Sequence, residues 1–345
     1  MGKIEVEEQV FTQGRRGPEM RPFSESAEVE CRGCSEALQR TLTDFGADEP
    51  FAGAAAKLRE HYGIEVPVST IRAVTERHGE AMWAQATPQR KWPDHPGVEV
   101  LIAEMDGSMV PVVATAKPGA GEVGDRRKTR KVGWKEARLC LVRPPESVTP
   151  ILGGTMGSVE EAGAQLRECA LKAGAGSQTK IHAVGDAAAW IIDQVELQFG
   201  TQAEYQVDLY HLCEYLAAAG AVVAPANPKA WMQEKRDWLK ENRWPEVLES
   251  LRPFLEKESV ADANAPVRAC HRYLSNHSQF LDYRGALAAG LPTGSGEIES
   301  AHRYILQNRV KISGAWWKLE NLSKMLALRL LRANGGWEEY WEKAA

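Results

Sequence analysis

The spacing of apolar residues changes period along the chain, and the changes outline its elements. Over residues 35–85 the apolar positions recur at helical spacing, which predicts helices at 35–45, 51–61 and 70–83. Tyr62-Gly63 ends the second of these, and Ser69 stands where an N-cap for the third would be. From Val98 the pattern shortens to apolar or alternating runs that read as strands at 98–105, 108–115 and 136–143. Asp106-Gly107, between the first two, is a strong hairpin signal. Helix and strand then alternate: helix 159–173, strand 180–184, helix 187–199, strand 204–207. Residues 209–287 return to helical spacing and carry Trp231, Trp238 and Trp244. Two further helices follow, at 295–307 and 319–332.

These elements divide the chain. Residues 1–34 are irregular, with one strand expected at 4–11 and breakers at Gly17, Pro18 and Pro22. Residues 35–85 have the order of a helix-turn-helix DNA-binding domain, with Thr70, Arg72 and Arg77 on its early exposed turns. A small helical bundle without DNA contact has the same pattern. A Pro- and charge-rich linker over 85–96 leads into an α/β mixed-sheet domain at 97–215, which resumes in C-terminal helices at 288–345. The intervening residues 216–287 are too long for a connection and read as an all-α insertion with its own core. Lys229, Lys235, Arg236 and Lys240 are expected on its exposed faces.

Composition narrows the class. With 43% hydrophobic and 26% charged residues, the 345-residue chain has the make-up of an ordinary soluble protein. No apolar run approaches the roughly 20 residues needed to cross a bilayer, and the first residues lack the apolar core of a signal peptide. A cytoplasmic, nucleoid-associated location is therefore expected. Six cysteines make no disulfide framework in a chain of this length. Cys31-Arg-Gly-Cys34 has the spacing of half a zinc site, and no second pair completes it; two free cysteines at a helix start have the same spacing. The net charge of −5 argues mildly against nucleic acid. Binding depends on local patches, however, and Arg126, Arg127, Lys128, Arg130 and Lys131 form one. A solvated hairpin tip would look the same.

Three acidic motifs carry the candidate chemistry. They are Met105-Asp106-Gly107, Val184-Gly185-Asp186-Ala187-Ala188, and Gly294-Ser295-Gly296-Glu297-Ile298-Glu299-Ser300. Taken singly, Asp106 suits a turn, Asp186 an N-cap and Glu299 a helix's first turn. Together they are two carboxylates at strand ends and one on a late helix, a set able to hold two divalent cations for phosphodiester chemistry. Mg²⁺ prefers hard oxygen donors and needs few protein carboxylates.

These motifs, with Trp134-Lys-Glu-Ala-Arg-Leu and Asp208-Leu-Tyr-His-Leu-Cys-Glu-Tyr-Leu, resemble the Asp-Asp-Glu transposases of bacterial insertion sequences. The likeness is closest to the ISKra-type group, related to the Mutator-like transposases, and spans roughly residues 30–340. The resemblance implies a ribonuclease-H-like sheet with a helical insertion. It implies Asp106, Asp186 and Glu299 as catalytic residues and ligands of two Mg²⁺ (or Mn²⁺) ions. Asp208 and His211 match an Asp-x-x-His motif of Mutator-like transposases and would orient the site or bound DNA, although an N-cap and a packed histidine would look the same; His302 and Arg303 stand one turn past Glu299, where they can meet the scissile phosphate or equally be surface charges. Glu297 is the alternative to Glu299, but the family's acid directly precedes a serine. Ala187 stands where relatives often have glycine, a change that an alanine at a helix start would absorb. The expected activity is metal-dependent cleavage at transposon DNA ends and strand transfer into target DNA. The expected partner is double-stranded DNA, bound by a homodimer or higher oligomer. A ribonuclease-H-like nuclease without strand transfer, and a catalytically silent helix-turn-helix DNA-binding protein, are the alternatives.

Overall fold

The computed structural model describes residues 5–14, 17–27, 29, 33–85, 91–115 and 130–344. Cys31, Arg126, Arg127 and Lys128 lie outside the described residues. The chain divides into two compact units, one of Met1–Thr87, Met109–Ala137 and His302–Ala345, the other of Pro88–Ser108 and Arg138–Ala301.

In the first unit, helices Glu36–Asp48, Phe51–Tyr62 and Val68–Gln85 close around Leu42, Ala54, Leu58, Ile71 and Val74. Phe51–Tyr62 stops at Gly63, whose φ of 65° returns its N–H to the Arg59 carbonyl. That left-handed end is cheap only for a residue without Cβ. The next helix departs from expectation. It begins at Val68, and the N–H groups of Thr70 and Ile71 return to the Pro67 carbonyl. Ser69 therefore sits inside the first turn and is not the cap. Nor do the three helices complete their core alone. Ala47 and Met82 pack with Ala327 and Leu328 of helix Leu319–Ala333 and with Tyr340 and Trp341 of helix Trp337–Ala344. Buried His78 ties the layers together, one ring nitrogen 2.8 Å from the Tyr340 hydroxyl and the other 3.0 Å from Gln39 Oε1. Near the N-terminus, pairing is confined to Phe11–Thr12 with Glu19–Met20 among the described residues.

Five strands form one mixed sheet: β1 Val100–Thr115, β2 Arg130–Arg143, β3 Ile151–Thr155, β4 Lys180–Gly185 and β5 Ala203–Val207. Their order is β3-β2-β1-β4-β5. β1, β4 and β5 run parallel, and β2 and β3 antiparallel. The hairpin expected at Asp106-Gly107 is absent, because β1 runs straight through both residues. A two-residue type I′ turn needs positive φ at both central positions, and neither residue has it. β3 is a strand that the short run Ile151-Leu-Gly-Gly-Thr did not announce.

Alternation decides which face of β1 is buried. Leu101, Ala103 and Met105 meet Leu166, Ile191 and Val195 of helices Val159–Lys172 and Ala189–Phe199. Glu104 and Asp106, at the intervening positions, belong to the opposite face. After β5, helices Leu209–Val223, Pro228–Lys240, Trp244–Leu251, Pro266–Asn276 and Tyr283–Ala288 build a core from Leu212, Leu239, Val247, Val267 and Leu274, with Trp231, Trp238 and Trp244 against it.

One expected surface cation in this helical region is buried. Lys235 is only 4% exposed, its ammonium 3.4 Å from the Trp238 ring centroid and 3.2 Å from a Glu234 carboxylate oxygen. The ring face and the carboxylate offset the cost of taking the charge from water. Lys229 is exposed, while Arg236 and Lys240 are half-buried. Among the described residues, no helix is long and apolar enough to cross a membrane.

Candidate active site

The second unit gathers the acidic motifs at one end of its parallel strands. Glu104 of β1 pairs in register with Val184 of β4, and Gly185 of β4 with Val207 of β5. Continuing those registers by one or two residues puts Asp106, inside β1, level with Asp186 and Asp208, which follow the carboxyl ends of β4 and β5. Such ends are where open α/β sheets place their sites.

The third motif is tied to this edge by three acids. Ser295 donates through its backbone N–H (2.8 Å) and its hydroxyl to Asp208 Oδ2. Ile298, in the short helix Gly296–Ala301, donates its N–H to Glu104 Oε2 at 2.8 Å. The Arg143 guanidinium at the end of β2 grips both carboxylate oxygens of Glu297. The bond from the Leu209 N–H to the Thr293 carbonyl (2.8 Å) closes the approach. Gly294 is required there, since a Cβ would stand 2.4 Å from Tyr210 Cδ2. Glu297 is thus committed to Arg143. Glu299 is exposed, and its carboxylate makes no ion pair among the described residues.

Electrostatics at this edge are dominated by Glu104. It is 1% exposed, and burial pushes its pKa up to about 8, with Glu297 and Asp208 adding to the rise and the Ile298 N–H and Arg143 opposing it. At neutral pH it is mostly protonated, so it accepts the Ile298 bond without adding a full charge. The Arg143 guanidinium is held above its ordinary range by Glu297.

Asp186 is positioned through its backbone. Its carbonyl accepts the Tyr273 hydroxyl at 2.7 Å, and its Oδ1 accepts the Ala188 N–H at 2.9 Å. Ala187 between them has φ 63°, and its N–H donates to the Tyr205 hydroxyl. The expectation that Ala187 begins a helix fails: the helix starts at Ala189, and this left-handed position explains why glycine suits it. Burial raises the pKa of both tyrosines.

Asp208 and His211 play different parts. Asp208 is buried and caps helix Leu209–Val223 by accepting from the N–H groups of Tyr210 and His211, while also holding Ser295. The His211 ring lies edge-on to Tyr215 and Tyr273, whose own rings stack at 4.3 Å. His211 therefore supports the tyrosine that holds Asp186.

The expected ligands share an edge without closing into a cage. Among the described residues, no group of three or more His, Cys, Asp or Glu side chains stands close enough to hold a metal ion. The donors are hard oxygens, which is the right chemistry for Mg²⁺. His302 is buried and Arg303 exposed in the π-helical segment His302–Gln307, so neither follows Glu299 at α-helical spacing. In the first unit, Thr70 is half-buried while Arg72 and Arg77 are exposed, and Arg72 Nε is 4.0 Å from Glu76. Arg130 and Lys131 are exposed at the start of β2.

Sequence reasoning missed Glu104, Arg143, Ser295 and Tyr273. Glu104 had a visible signal, an acid inside the apolar run Leu101-Ile-Ala-Glu-Met. Tyr273 had none.

A mixed α/β protein with acids level across three parallel strands, and a motif-bearing helix bound beside them, is the class that fold and site define. Residues 159–344 match an uncharacterised protein family, UPF0236, and the chain belongs to that family. The matched region contains Asp186, Asp208, His211 and Glu299 but not Asp106. No curated protein matches the chain.

Proposed function

We propose that this protein is a DNA transposase of the Asp-Asp-Glu class, of the ISKra-type group, acting at the ends of a bacterial insertion sequence. The observation that carries the reading is the docking of the third motif beside the other two, through Ile298 to Glu104 on the strand of the first and Ser295 to Asp208, which follows the strand next to that of the second. The strand order β3-β2-β1-β4-β5, with helices interrupting it before the last motif, supports a ribonuclease-H-like core. Helices Phe51–Tyr62 and Val68–Gln85 around the Gly63 turn support a helix-turn-helix for duplex DNA.

In this reading Asp106, Asp186 and Glu299 would hold two Mg²⁺ or Mn²⁺ ions, which would supply an activated water and a stabilised leaving oxygen. Arg143 and Glu104 hold the helix that carries Glu299, and Tyr273 holds the Asp186 backbone. Hydrolysis frees a 3′-hydroxyl at the element's end, and that hydroxyl then attacks a phosphorus of target DNA, forming a new phosphodiester as the target's own 3′-oxygen leaves.

The test is a plasmid carrying the DNA that flanks the gene, incubated with Mg²⁺ and the protein. Nicking at the element's ends and joining to a second duplex are expected. Both should vanish in Asp106→Asn, Asp186→Asn and Glu299→Gln. Cleavage without joining would make the protein a nuclease. The spread of the carboxylates favours one other reading, a catalytically silent DNA-binding protein, and the absence of any metal-dependent nicking would establish it.

A further inference from the structure

The first unit holds a cleft of about 700 Å³ that the catalytic reading leaves unused. Its walls come from helix Val68–Gln85, from β1 and β2, and from the segment leading into helix Leu319–Ala333. Arg72, Arg130, Arg309, Lys318 and Lys324 line it against only Glu76 and Glu320. That is a surplus of positive charge in a chain whose net charge is −5. The volume lies within the usual range for small-ligand sites.

Two adjacent tryptophans divide the work of this wall. Trp317 is an anchor. It is 6% exposed, its indole N–H donates to the Val310 carbonyl at 3.2 Å, and its own carbonyl accepts the Val113 N–H at 2.8 Å. Trp316 is 49% exposed and lines the cleft, with the Arg130 guanidinium 5.1 Å from its ring centroid. An indole of that area left to water beside a cation is a stacking surface held in place by its neighbour. Behind it, Arg309 is 2% exposed, sandwiched at 4.9 Å from Phe51 and 4.8 Å from Trp317. Its Nε donates to the Gly46 carbonyl, and its second terminal nitrogen has no hydrogen-bond partner among the described residues.

Three of the other cations pair with carboxylates, each pair having at least one exposed side chain. Arg72 is 4.0 Å from Glu76, Lys318 3.5 Å from Glu320 and Lys324 3.0 Å from Glu80, pairs that involve exposed side chains. Exposed pairs of this kind are worth little, so a phosphate can replace the carboxylate at small cost.

We infer that this cleft binds an unpaired stretch of DNA, one base stacking on Trp316 and the flanking phosphates meeting Arg72, Arg130, Lys318 and Lys324. Stacking accepts any base, and the cations follow the backbone, a combination suited to single strands. A transposon end with unpaired nucleotides would be gripped here. This rests on the transposase reading for its biological setting but not for its measurement.

The experiment is fluorescence anisotropy with the full chain in EDTA. The probes are a labelled dT12, a blunt duplex, and the same duplex with a three-nucleotide single-stranded end. The wild type should bind dT12 and the tailed duplex more tightly than the blunt one. Trp316→Ala should weaken both by about tenfold to a hundredfold, the range expected for one stacked base, and leave blunt-duplex binding within about twofold. Trp316→Phe should restore most of the affinity. Lys324→Gln should lower the salt slope for dT12 by about 0.7, the value for one lost phosphate contact on a single strand. Unchanged thermal unfolding of Trp316→Ala would show that binding, not folding, was lost.

Equal binding of the tailed duplex by wild type and Trp316→Ala would overturn the inference, as would equal loss on blunt and tailed DNA. Displacement of dT12 by dTMP at micromolar concentration would reassign the cleft to a free nucleotide. If the plasmid assay fails while Trp316-dependent binding persists, the catalytic reading falls and this one stands. If cleavage occurs and Trp316 is irrelevant, the reverse holds.

Discussion

The Glu104 carboxyl accepts a hydrogen bond from the backbone N–H of Ile298 at 2.8 Å, joining the middle of β1 to the helix of the third motif. Glu104 is 1% exposed, so this bond is made away from water, and its loss leaves a buried donor unpaired. Glu104→Leu should therefore lower stability by about 1–3 kcal/mol. Glu104→Gln keeps an acceptor of the same shape and should cost much less. Denaturant melts of the two variants check this, and equal loss would show that the bond to Ile298 is not what stabilises the fold.

Ala187 offers a test in the opposite direction. Its φ of 63° is unfavourable for any residue with a Cβ. Ala187→Gly should raise stability by about 1 kcal/mol, because relief of that strain exceeds the added freedom of the unfolded chain. Since the Asp186 carbonyl and side chain keep their partners, cleavage should be retained. A destabilised variant would show that burial of the Ala187 methyl outweighs the strain.

The two glutamates of the third motif should separate cleanly. Glu299→Gln should abolish Mg²⁺-dependent cleavage while thermal unfolding stays within a degree or two, because the side chain is exposed. Glu297→Gln should release Arg143 and lower stability while leaving residual cleavage. Full activity of Glu299→Gln with a dead Glu297→Gln would exchange their roles.

Burial also sets a pH dependence through His182. Its ring is 7% exposed, with Nε2 2.8 Å from the Pro292 carbonyl, and burial depresses its pKa below 6.5. The folded chain keeps the ring neutral where the unfolded chain takes up a proton. Stability is therefore full above about pH 6.5 and lost as pH falls below it. Unfolding measured at pH 7 and pH 5 should show a larger loss for the wild type than for His182→Gln. An equal loss in both would assign the dependence to other groups.

The order of elements was legible in the sequence wherever one face of an element is buried. Helices Val159–Lys172 and Leu319–Ala333 and strand Ala203–Val207 lie within a residue or two of their expected bounds. Local chemistry misled where a longer-range contact overrode it. Asp106-Gly107 has the make-up of a turn, but β1 continues through it to Thr115, with Met105 just before it packed in the core. Lys235 looks like a surface cation, but the rings of Trp231 and Trp238 bury it.

By itself the sequence determined the alternation of helix and strand, the break between them near residue 97, and the three acidic motifs. Periodicity and short motifs are local properties, so a linear reading recovers them. Only the tertiary structure decided that Asp106, Asp186 and Asp208 come level across neighbouring strands, that Glu104 and Arg143 seat the third motif, and that Tyr273 steadies Asp186. Those relationships join residues up to 194 positions apart through strand register and buried hydrogen bonds. No window of the sequence contains both partners, and burial, which gives each bond its weight, exists only once the chain has folded.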